Sequence, residues 1–307
     1  MFRETSIQVA SIMACDGAQH LSRESNKMAT KLNSEGILVF IPAYNCAPQI
    51  GRTLLQLKGC EQHFREVIVV DNRSTDNTVD AAISAAPQLD LPVRVVRNWD
   101  NLGLGGSHKS AFAYAARQGY DYMVVLHGDD QGSIRELLPH IERGEHRTVD
   151  CLLGARFMPG SKLEGYSTFR TLGNEVFNLL FSAASRKRLY DLGSGLNMYR
   201  VDAVSNLRYQ GFADNLTFNY YMILATVWRR WKIRFFPISW REDDQVSNVK
   251  LTRQSIQVLK LLATFVFRRR FFLEGQHTPR SPEDYRFDTV YDSTGSLQPS
   301  GQPDARR

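Results

Sequence analysis

The chain has 307 residues, of which 43% are hydrophobic and 23% are charged, and these values exclude a collagen, a coiled coil and a wholly disordered protein. No apolar run reaches the roughly 18 to 20 residues that a bilayer crossing needs, and residues 1–31 lack the apolar core of a secretory signal. The formal charge of +6 suits phosphate-bearing ligands, nucleic acid or an anionic membrane surface. We therefore expect a folded, cytoplasmic protein.

Strand and helix patterns alternate at short spacing through the first half of the chain. A polar stretch at residues 1–35 predicts a flexible arm. Short apolar runs then predict four strands, Ile37–Ile41, Glu66–Asp71, Pro92–Val96 and Tyr122–Leu126, with helices between them at about residues 48–58, 79–86 and 107–118. This alternation predicts an α/β fold of the Rossmann-like kind, in which a mainly parallel sheet carries helices on both faces.

The second half of the chain completes one domain that extends from residue 36 to residue 250. Residues 251–273 predict a basic amphipathic helix, too short to span a bilayer but suited to lie in a membrane interface. The alternative is a helix packed on the domain with a solvated basic end. The stretch 274–307 is rich in Pro, Ser, Gly and Gln, which predicts a disordered tail.

Polar residues follow each of the four predicted strands. They are Pro42, Ala43, Tyr44 and Asn45, then Asp71 and Asn72, then the loop 98–106, and finally His127–Gln131. Turn chemistry would explain any one of these sets. Because the carboxyl ends of parallel strands meet at one edge of the sheet, where ligands bind, four sets together predict a binding site.

Two nucleotide-binding motifs are absent from this edge. A G-x-G-x-x-G pattern begins at Gly103 but has His108 in its last position, and no G-x-x-x-x-G-K-[ST] loop exists. The remaining possibility is a site in which a nucleotide diphosphate is held partly by a divalent metal. If the fourth strand continues through them, His127, Asp129 and Gln131 point to the same side and could share Mg²⁺ or Mn²⁺. Alternatively, His127 is a hydrogen-bonded residue beside the site. Asp130 is then a solvated neighbour or a residue that supports the metal ligands.

The chain resembles the family 2 glycosyltransferases of GT-A fold, in particular dolichyl-phosphate mannose synthase and related polyprenyl-phosphate sugar transferases. The matching segments are residues 41–45, 69–78, 101–105, 126–131, 154–157 and 191–199. The resemblance implies a nucleotide-sugar donor, with Asp129 and Gln131 on the metal. It implies that the donor site includes Pro42, Ala43, Tyr44, Asn45, Asp71, Asn72, Gly103, Asp129, Arg156 and Ser194.

Three positions depart from the family pattern. The family's D-x-D-x-Q begins here with His127, and Asn72 replaces the second of two acidic residues. On the acceptor side, where relatives carry an Arg followed by a G-E-S-K-like run, Arg241, Ser247 and Lys250 match only loosely.

The resemblance implies inversion at the sugar carbon, with hexose transfer to a polyprenyl phosphate by a peripheral protein on the cytoplasmic membrane face, and no nucleic acid partner. Asp129, its ion and Arg241 would stabilise the departing diphosphate. A phosphate acceptor is largely ionised at neutral pH, whereas a hydroxyl acceptor requires a general base. Asp214 is the candidate for that base. Its alternative role is to cap the helix that follows it. A saccharide acceptor in surface polysaccharide assembly and an inactive binding protein are the rival interpretations.

Overall fold

An eight-stranded sheet forms the centre of the computed structural model, which describes residues 35–241 and 251–295, without the side chains of 251–254. The strands are β1 Ile37–Ala43, β2 Glu66–Asp71, β3 Val93–Asn98, β4 Tyr122–Leu126, β5 Cys151–Ala155, β6 Leu163–Glu164, β7 Leu196–Arg200, β8 Ile233–Pro237, β9 Trp240–Arg241 and β10 Phe287–Asp292. Strands β6 and β9 pair with each other in a small second sheet, and the others form the large one.

The large sheet is mainly parallel, as predicted. Its strand order is β10-β3-β2-β1-β4-β7-β5-β8, and β3, β2, β1 and β4 run parallel to one another. Strand β7 is antiparallel to both β4 and β5, whereas β5 and β8 are parallel. The order places the carboxyl ends of β1, β2, β3 and β4 side by side along one edge.

Helices cover both faces of this sheet. They are α1 Ala47–Leu55, α2 Thr78–Ala85, α3 Gly103–Arg117, α4 Leu138–Glu142, α5 Thr168–Ser185, α6 Val201–Ser205, α7 Phe218–Trp228, α8 Leu251–Phe267 and α9 Arg269–Glu274. On one face, Val39 and Ile41 of β1 share a core with α1 and α2; on the other, Leu38 and Phe40 share a core with α3, α7 and α8. A strand buried on both faces has to be apolar throughout, which explains the run Ile37–Ile41.

The prediction of a disordered tail is wrong for residues 275–295. Strand β10 pairs antiparallel with β3 at the edge of the sheet, and Asp292 forms an ion pair with Arg94 at 2.8 Å. An edge strand with one solvated face has few apolar residues, so its composition resembles that of a polar tail. Residues 296–307, and the predicted arm up to residue 34, lie outside the described residues.

Glycine at positions 103 and 105 is required by close backbone packing. A side chain on Gly105 would place its Cβ 2.5 Å from the Ala213 carbonyl oxygen, and Gly103 has a φ of +68° with the Asp214 carbonyl oxygen equally near. The Gly103-x-Gly105 pair therefore seats the start of α3 on the chain before α7.

None of the helices in the described part of the chain combines the length and the apolarity that a bilayer crossing requires.

Candidate functional site

The loops after β1, β2 and β4 are joined by backbone hydrogen bonds at the carboxyl edge of the sheet. The amide of Gly128 donates to the Pro42 carbonyl oxygen at 3.2 Å, and the amide of Asn72 donates to that of Ala43 at 2.9 Å. A Cβ on Gly128 would approach the Pro42 oxygen to 3.0 Å, so the turn after β4 lies directly on the loop after β1. The structure thus brings together three of the four polar sets.

Asn45 connects the first of these loops to the second. It has a positive φ of 50°, and its side-chain oxygen accepts a hydrogen bond from the Thr75 amide at 2.8 Å. Its own amide donates to the Ser74 hydroxyl at 2.9 Å. Tyr44, in contrast, is 50% exposed at the rim of the site, where its ring can contact a ligand.

Asp71 lies beneath the loops in the protein interior. Its carboxylate accepts from the Arg97 guanidinium at 2.8 Å and from the Ser74 amide at 3.2 Å, and it is fully buried. Both oxygens are therefore occupied by protein donors. Its contact with a nucleobase or ribose stays a prediction; in the structure it shapes the loop that would make such a contact.

Asn72 organises the loop after β3. Its side-chain nitrogen donates to Asn101 at 2.9 Å, while its oxygen accepts from the Asn98 side chain at 3.0 Å and the Leu102 amide at 2.8 Å. An Asp in this position could accept but not donate. The departure from an acidic pair thus has a physical role, because the amide links β2 to a loop at the same edge.

The expectation that His127, Asp129 and Gln131 share one side of a continuing strand is wrong. Strand β4 ends at Leu126, and the chain turns, with Asp130 at a φ of 58°. A positive φ in a residue other than glycine breaks the alternation of side chains. Asp130 is held in this turn by the Arg52 guanidinium at 2.8 Å and the Gln56 amide at 2.6 Å.

Asp129 is a half-buried carboxylate with no ion-pair partner among residues 35–241 and 251–295. It accepts a hydrogen bond from the Gln131 backbone amide at 3.3 Å. Burial raises its pKa to about 6, and the neighbouring Asp130 adds to this effect. A carboxylate in such surroundings is stabilised by a cation, so the site fits a divalent metal. No group of three His, Cys, Asp or Glu side chains in the described residues could hold such an ion, and the role of Asp129 as a metal ligand stays a prediction.

His127 lies beside the site as a neutral imidazole. Burial and the charge of Arg156 lower its pKa to about 4. Its Nε2 atom is buried and has no hydrogen-bond partner in the described structure, and its ring lies 6.5 Å from the ring of His108. Its role as a metal ligand stays a prediction, and the neutral form is the one that binds metals.

Arg156 is held rigidly by Asp191. Two hydrogen bonds, from Nε at 2.8 Å and from Nη2 at 2.9 Å, join the guanidinium to the two carboxylate oxygens. Although burial opposes its charge, the Asp191 carboxylate raises the pKa of Arg156. Ser194 is buried in the next turn, where its hydroxyl donates to the Leu196 carbonyl oxygen at 3.2 Å. Arg156 thus borders the site, while Ser194 supports the turn beside it.

Arg241 lies next to the turn that carries Asp129. Its amide donates to the Gln131 carbonyl oxygen at 3.1 Å, and its half-exposed guanidinium approaches Asp130 to 3.5 Å. The structure therefore brings Arg241 to the predicted metal turn. Ser247 and Lys250 lie outside the described residues.

Asp214 is unsuited to be the predicted general base. Its carboxylate accepts hydrogen bonds from Lys109 at 2.6 Å, from Tyr285 at 2.8 Å and from Arg280 at 3.2 Å, and also from Thr278. Burial alone would raise its pKa, but the bonds from Lys109, Thr278 and Tyr285 lower it. With both oxygens engaged, it has little capacity to accept a proton. It does not cap α7 either, since Asn215 binds the Thr217 amide.

Lys109, which is 1% exposed on the inner face of α3, is a further buried charged residue that was not predicted from the sequence. Its position three residues before the buried Phe112 places it on the core side of the helix, and this spacing is the signal that could have found it.

A cavity of about 350 Å³ opens beside His127 and Arg156, between α5, α7 and α8. Polar and aromatic groups line it, including Tyr166, Arg170, Asn174, Asn219 and Tyr220. Its outer wall is α5, whose exposed apolar residues follow one another at helical spacing: Phe169, Leu172, Val176, Leu179 and Leu180. The cavity therefore connects the strand-end site with an exposed apolar helix.

A mainly parallel sheet with a carboxylate turn at its carboxyl edge is the arrangement expected for the GT-A glycosyltransferase class that the sequence resembles. The model of Glycosyl transferase family 2 matches residues 38–208, so the chain belongs to that family and is a glycosyltransferase. It is similar to an undecaprenyl-phosphate mannosyltransferase of Micrococcus luteus, with 31% identity over 59% of this chain and 76% of the relative. It is also similar to a dolichol-phosphate mannosyltransferase of Pyrococcus furiosus, with 27% identity over 44% of this chain and 37% of the relative.

Solved structures share the fold. Glucosyl-3-phosphoglycerate synthase of Mycobacterium tuberculosis with phosphoglyceric acid superposes with a TM-score of 0.58 and 19% identity, covering 78% of this chain and 82% of that one. The same enzyme with Mn²⁺, uridine diphosphate and phosphoglyceric acid gives a TM-score of 0.58 and 18% identity, covering 76% and 79%.

Proposed function

We propose that this glycosyltransferase moves a hexose from a nucleoside-diphosphate sugar to a polyprenyl phosphate, with inversion, on the cytoplasmic face of a membrane. The observation that carries the proposal is the Asp129 carboxylate, which has no ion-pair partner in the part of the chain that the structure describes and whose pKa is raised to about 6. It lies at the edge where the loops after β1, β2 and β4 meet. The relatives named as undecaprenyl-phosphate and dolichol-phosphate mannosyltransferases support the class of acceptor.

Asp129 and Gln131 would hold a divalent cation, Mn²⁺ or Mg²⁺, with His127 as the further candidate ligand. A similar solved structure contains Mn²⁺ with uridine diphosphate, which supports this assignment. When bound, such an ion neutralises negative charge on the diphosphate leaving group.

The chain's own cations would act on the same leaving group. Arg241 carries a half-exposed guanidinium beside the Asp129 turn, where it can donate hydrogen bonds to diphosphate oxygens as their charge grows. Arg52 and Gln56 fix Asp130, so the turn is already shaped before the donor binds. Tyr44 would pack against the nucleobase at the rim.

The charges around the cavity favour a phosphate acceptor over a hydroxyl. Among the described residues that line it, Arg156 and Arg170 are cationic, and Asp191 is the sole carboxylate and is paired with Arg156. A lipid phosphate with a second pKa near 6 is ionised at neutral pH and attacks without a general base. Because the contacts of Asp214 remove the candidate base, transfer to a saccharide hydroxyl is the weaker alternative.

An apolar surface on α5 and α8 would hold the protein on the membrane. Val258, Leu261 and Phe265 pack α8 into the core, while Ile256, Leu259, Val266 and Phe267 of that helix remain exposed, as do the apolar residues of α5. Basic residues follow both helices, namely Arg186, Lys187 and Arg188 after α5 and Arg268, Arg269 and Arg270 after α8. Apolar side chains flanked by arginines suit an interface with anionic lipids, so we assign the anchor to both helices.

Transfer assays with purified protein test the reaction. We expect release of nucleoside diphosphate from one member of a panel of UDP-, GDP- and dTDP-hexoses, dependent on Mn²⁺ or Mg²⁺ and on a short polyprenyl phosphate. Transfer to a sugar alcohol or oligosaccharide at a similar rate would favour the hydroxyl alternative. If neither transfer nor donor hydrolysis occurs with any donor, the inactive binding protein is the correct interpretation.

Replacing two apolar residues of α5, in the double variant Phe169→Ser/Leu179→Ser, is expected to release the protein from vesicles that contain phosphatidylglycerol. Phe169 is 78% and Leu179 is 69% exposed, so the fold loses little and the melting temperature should change by less than about 2 °C. Vesicle flotation measures the effect. Val290→Ser, an exposed apolar residue on β10 at an edge of the sheet, serves as the control. Unchanged flotation of the double variant would remove α5 from the anchor.

A further inference from the structure

The chain after α9 returns along the domain and packs against the loop that follows β3. We call residues 275–295 the C-terminal strap and residues 99–102 the post-β3 loop. The amide of His277 donates to the Gly211 carbonyl oxygen at 2.7 Å, and β10 then extends the sheet beside β3. The strap lies outside residues 38–208, which the family model matches.

Arg280 of the strap contacts the post-β3 loop directly. Its Nη2 atom donates to the Asp100 carboxylate at 2.8 Å and to the Asn101 carbonyl oxygen at 3.3 Å. Its Nη1 atom donates to Asp214 at 3.2 Å. A planar guanidinium can hold these acceptors at once in a fixed geometry, which a single ammonium cannot do.

Asp214 anchors the other end of this contact. The buried Lys109 donates a hydrogen bond to the Asp214 carboxylate. The Asp214 carbonyl oxygen accepts a hydrogen bond from the Gly105 amide, at the start of α3, at 2.6 Å. Tyr285 of the strap bonds to both Asp214 and Lys109. Arg280 therefore bridges the post-β3 loop to a buried cluster that also fixes the helix following that loop.

The post-β3 loop is held from the opposite side by the donor edge. Asn72 binds the Asn101 side chain and the Leu102 amide, and the Asn101 side chain in turn accepts from the Gly103 amide at 3.1 Å. The strap also holds its first residue, since the Trp99 amide donates to the Arg286 carbonyl oxygen at 3.1 Å and its indole nitrogen to Asp288 at 3.0 Å. The loop is thus clamped between β2 and the strap.

We infer that Arg280 is a positioning residue for the donor site, which it completes by fixing the post-β3 loop through Asp100, Asn101 and Asp214. The inference rests on the proposed function, because Asn72 and Gly103 belong to the sugar-nucleotide site that the family resemblance implies. Arg280 itself need not contact the donor. Without the Arg280 contacts, the loop stays bound to the strap at Trp99 and to Asn72 at Asn101 and Leu102, but Asp100 loses its partner in the strap. The middle of the loop then samples arrangements that do not bind the nucleotide.

The test compares Arg280→Ala with Arg280→Lys and with Arg143→Ala, an exposed arginine paired with Glu145. For Arg280→Ala we expect about tenfold weaker binding, by calorimetry, of the nucleoside diphosphate that the wild type prefers among UDP, GDP and dTDP. The donor KM should rise by a similar factor, and kcat should stay within twofold. The affinity of Arg280→Lys should lie between those of Arg280→Ala and the wild type, because lysine keeps the positive charge but not the planar guanidinium that contacts several acceptors at once. Arg143→Ala should match the wild type.

Hydrogen exchange in the absence of ligand separates positioning from general destabilisation. In Arg280→Ala, the amides of the post-β3 loop and Gly103 should exchange faster while those of β1, β2 and β4 keep their protection. Faster exchange throughout the sheet, or wild-type affinity for the nucleotide, would overturn the inference. If the wild type binds none of UDP, GDP and dTDP, the proposed function fails first and the inference fails with it, an outcome distinct from equal binding by wild type and variant.

Discussion

Asp129→Asn is expected to reduce glycosyl transfer about a thousandfold and, at the same time, to make the metal-free protein more stable at pH 8. The loss of activity follows because Asp129 is the principal charged ligand proposed for the divalent cation, and removing charge stabilisation of a leaving group costs rates of this order. The gain in stability follows because the half-buried carboxylate has no ion-pair partner among the described residues, so its ionised form is disfavoured in the folded state.

The direction of the pH dependence is fixed by the pKa shift of Asp129. Its folded pKa, about 6, lies above the ordinary value of 3.8, so the folded protein binds the proton more tightly than the unfolded chain does. Its contribution therefore becomes unfavourable as pH rises from about 4 to about 6 and stays so above that range, to an extent of roughly 3 kcal/mol. The stability gain of Asp129→Asn should appear at pH 8 and disappear near pH 4.

Thermal unfolding in EDTA at pH 4 and pH 8, together with transfer assays at saturating Mn²⁺, measures both effects. Asp90→Asn, which changes an exposed aspartate in the same chemical way, is the control and should leave activity and melting temperature unchanged. Transfer at the wild-type rate would remove Asp129 from the metal site. A lower melting temperature at pH 8 would mean that the carboxylate has a favourable partner in the folded protein.

Lys109→Met is expected to lower the free energy of unfolding by about 3 to 5 kcal/mol. Lys109 is 1% exposed and forms an ion pair with Asp214 at 2.6 Å, and removing one partner of a buried pair leaves the other charge without full compensation. The phenol of Tyr285 and the Phe212 carbonyl oxygen also lose their bond to the ammonium group. The methionine side chain fills most of the volume, so the loss is chiefly electrostatic.

Urea denaturation of Lys109→Met measures this loss, with Lys58→Met as the matched control at an exposed position. The double variant Lys109→Met/Asp214→Asn should lose less than the sum of the single variants, because each removes the charge that the other leaves behind. Strict additivity, or a loss below about 1 kcal/mol for Lys109→Met, would show that the pair contributes little to stability.

The features that the sequence predicted correctly are those carried by local pattern. The apolar runs of β1, β2, β3 and β4 alternate with helices, and this pattern is dictated by burial on both faces of a parallel sheet. The motifs at residues 41–45, 69–78 and 126–131 likewise identified the family, because residues at strand ends are near one another in every sheet of this kind. Neither inference depends on contacts between distant parts of the chain.

Other features could not be predicted from local pattern. Strand β10 has a polar, alternating sequence, and only the free edge of β3 makes it a strand. The alternation argument for Gln131 failed because hydrogen bonds from Arg52 and Gln56 hold Asp130 at a positive φ. Both cases depend on partners that lie far along the chain.

The sequence by itself determined the α/β architecture, the family and the position of Asp129 at the end of a strand, because each follows from side-chain periodicity or from short motifs. The tertiary structure alone decided that the Asp214 carboxylate binds Lys109 and the strap and is not available as a general base. It also decided that Arg280 reaches the loop after β3. Those contacts join residues 105 and 180 positions apart. Pairing at such separations depends on how the chain closes in space, and no local preference of the residues encodes it.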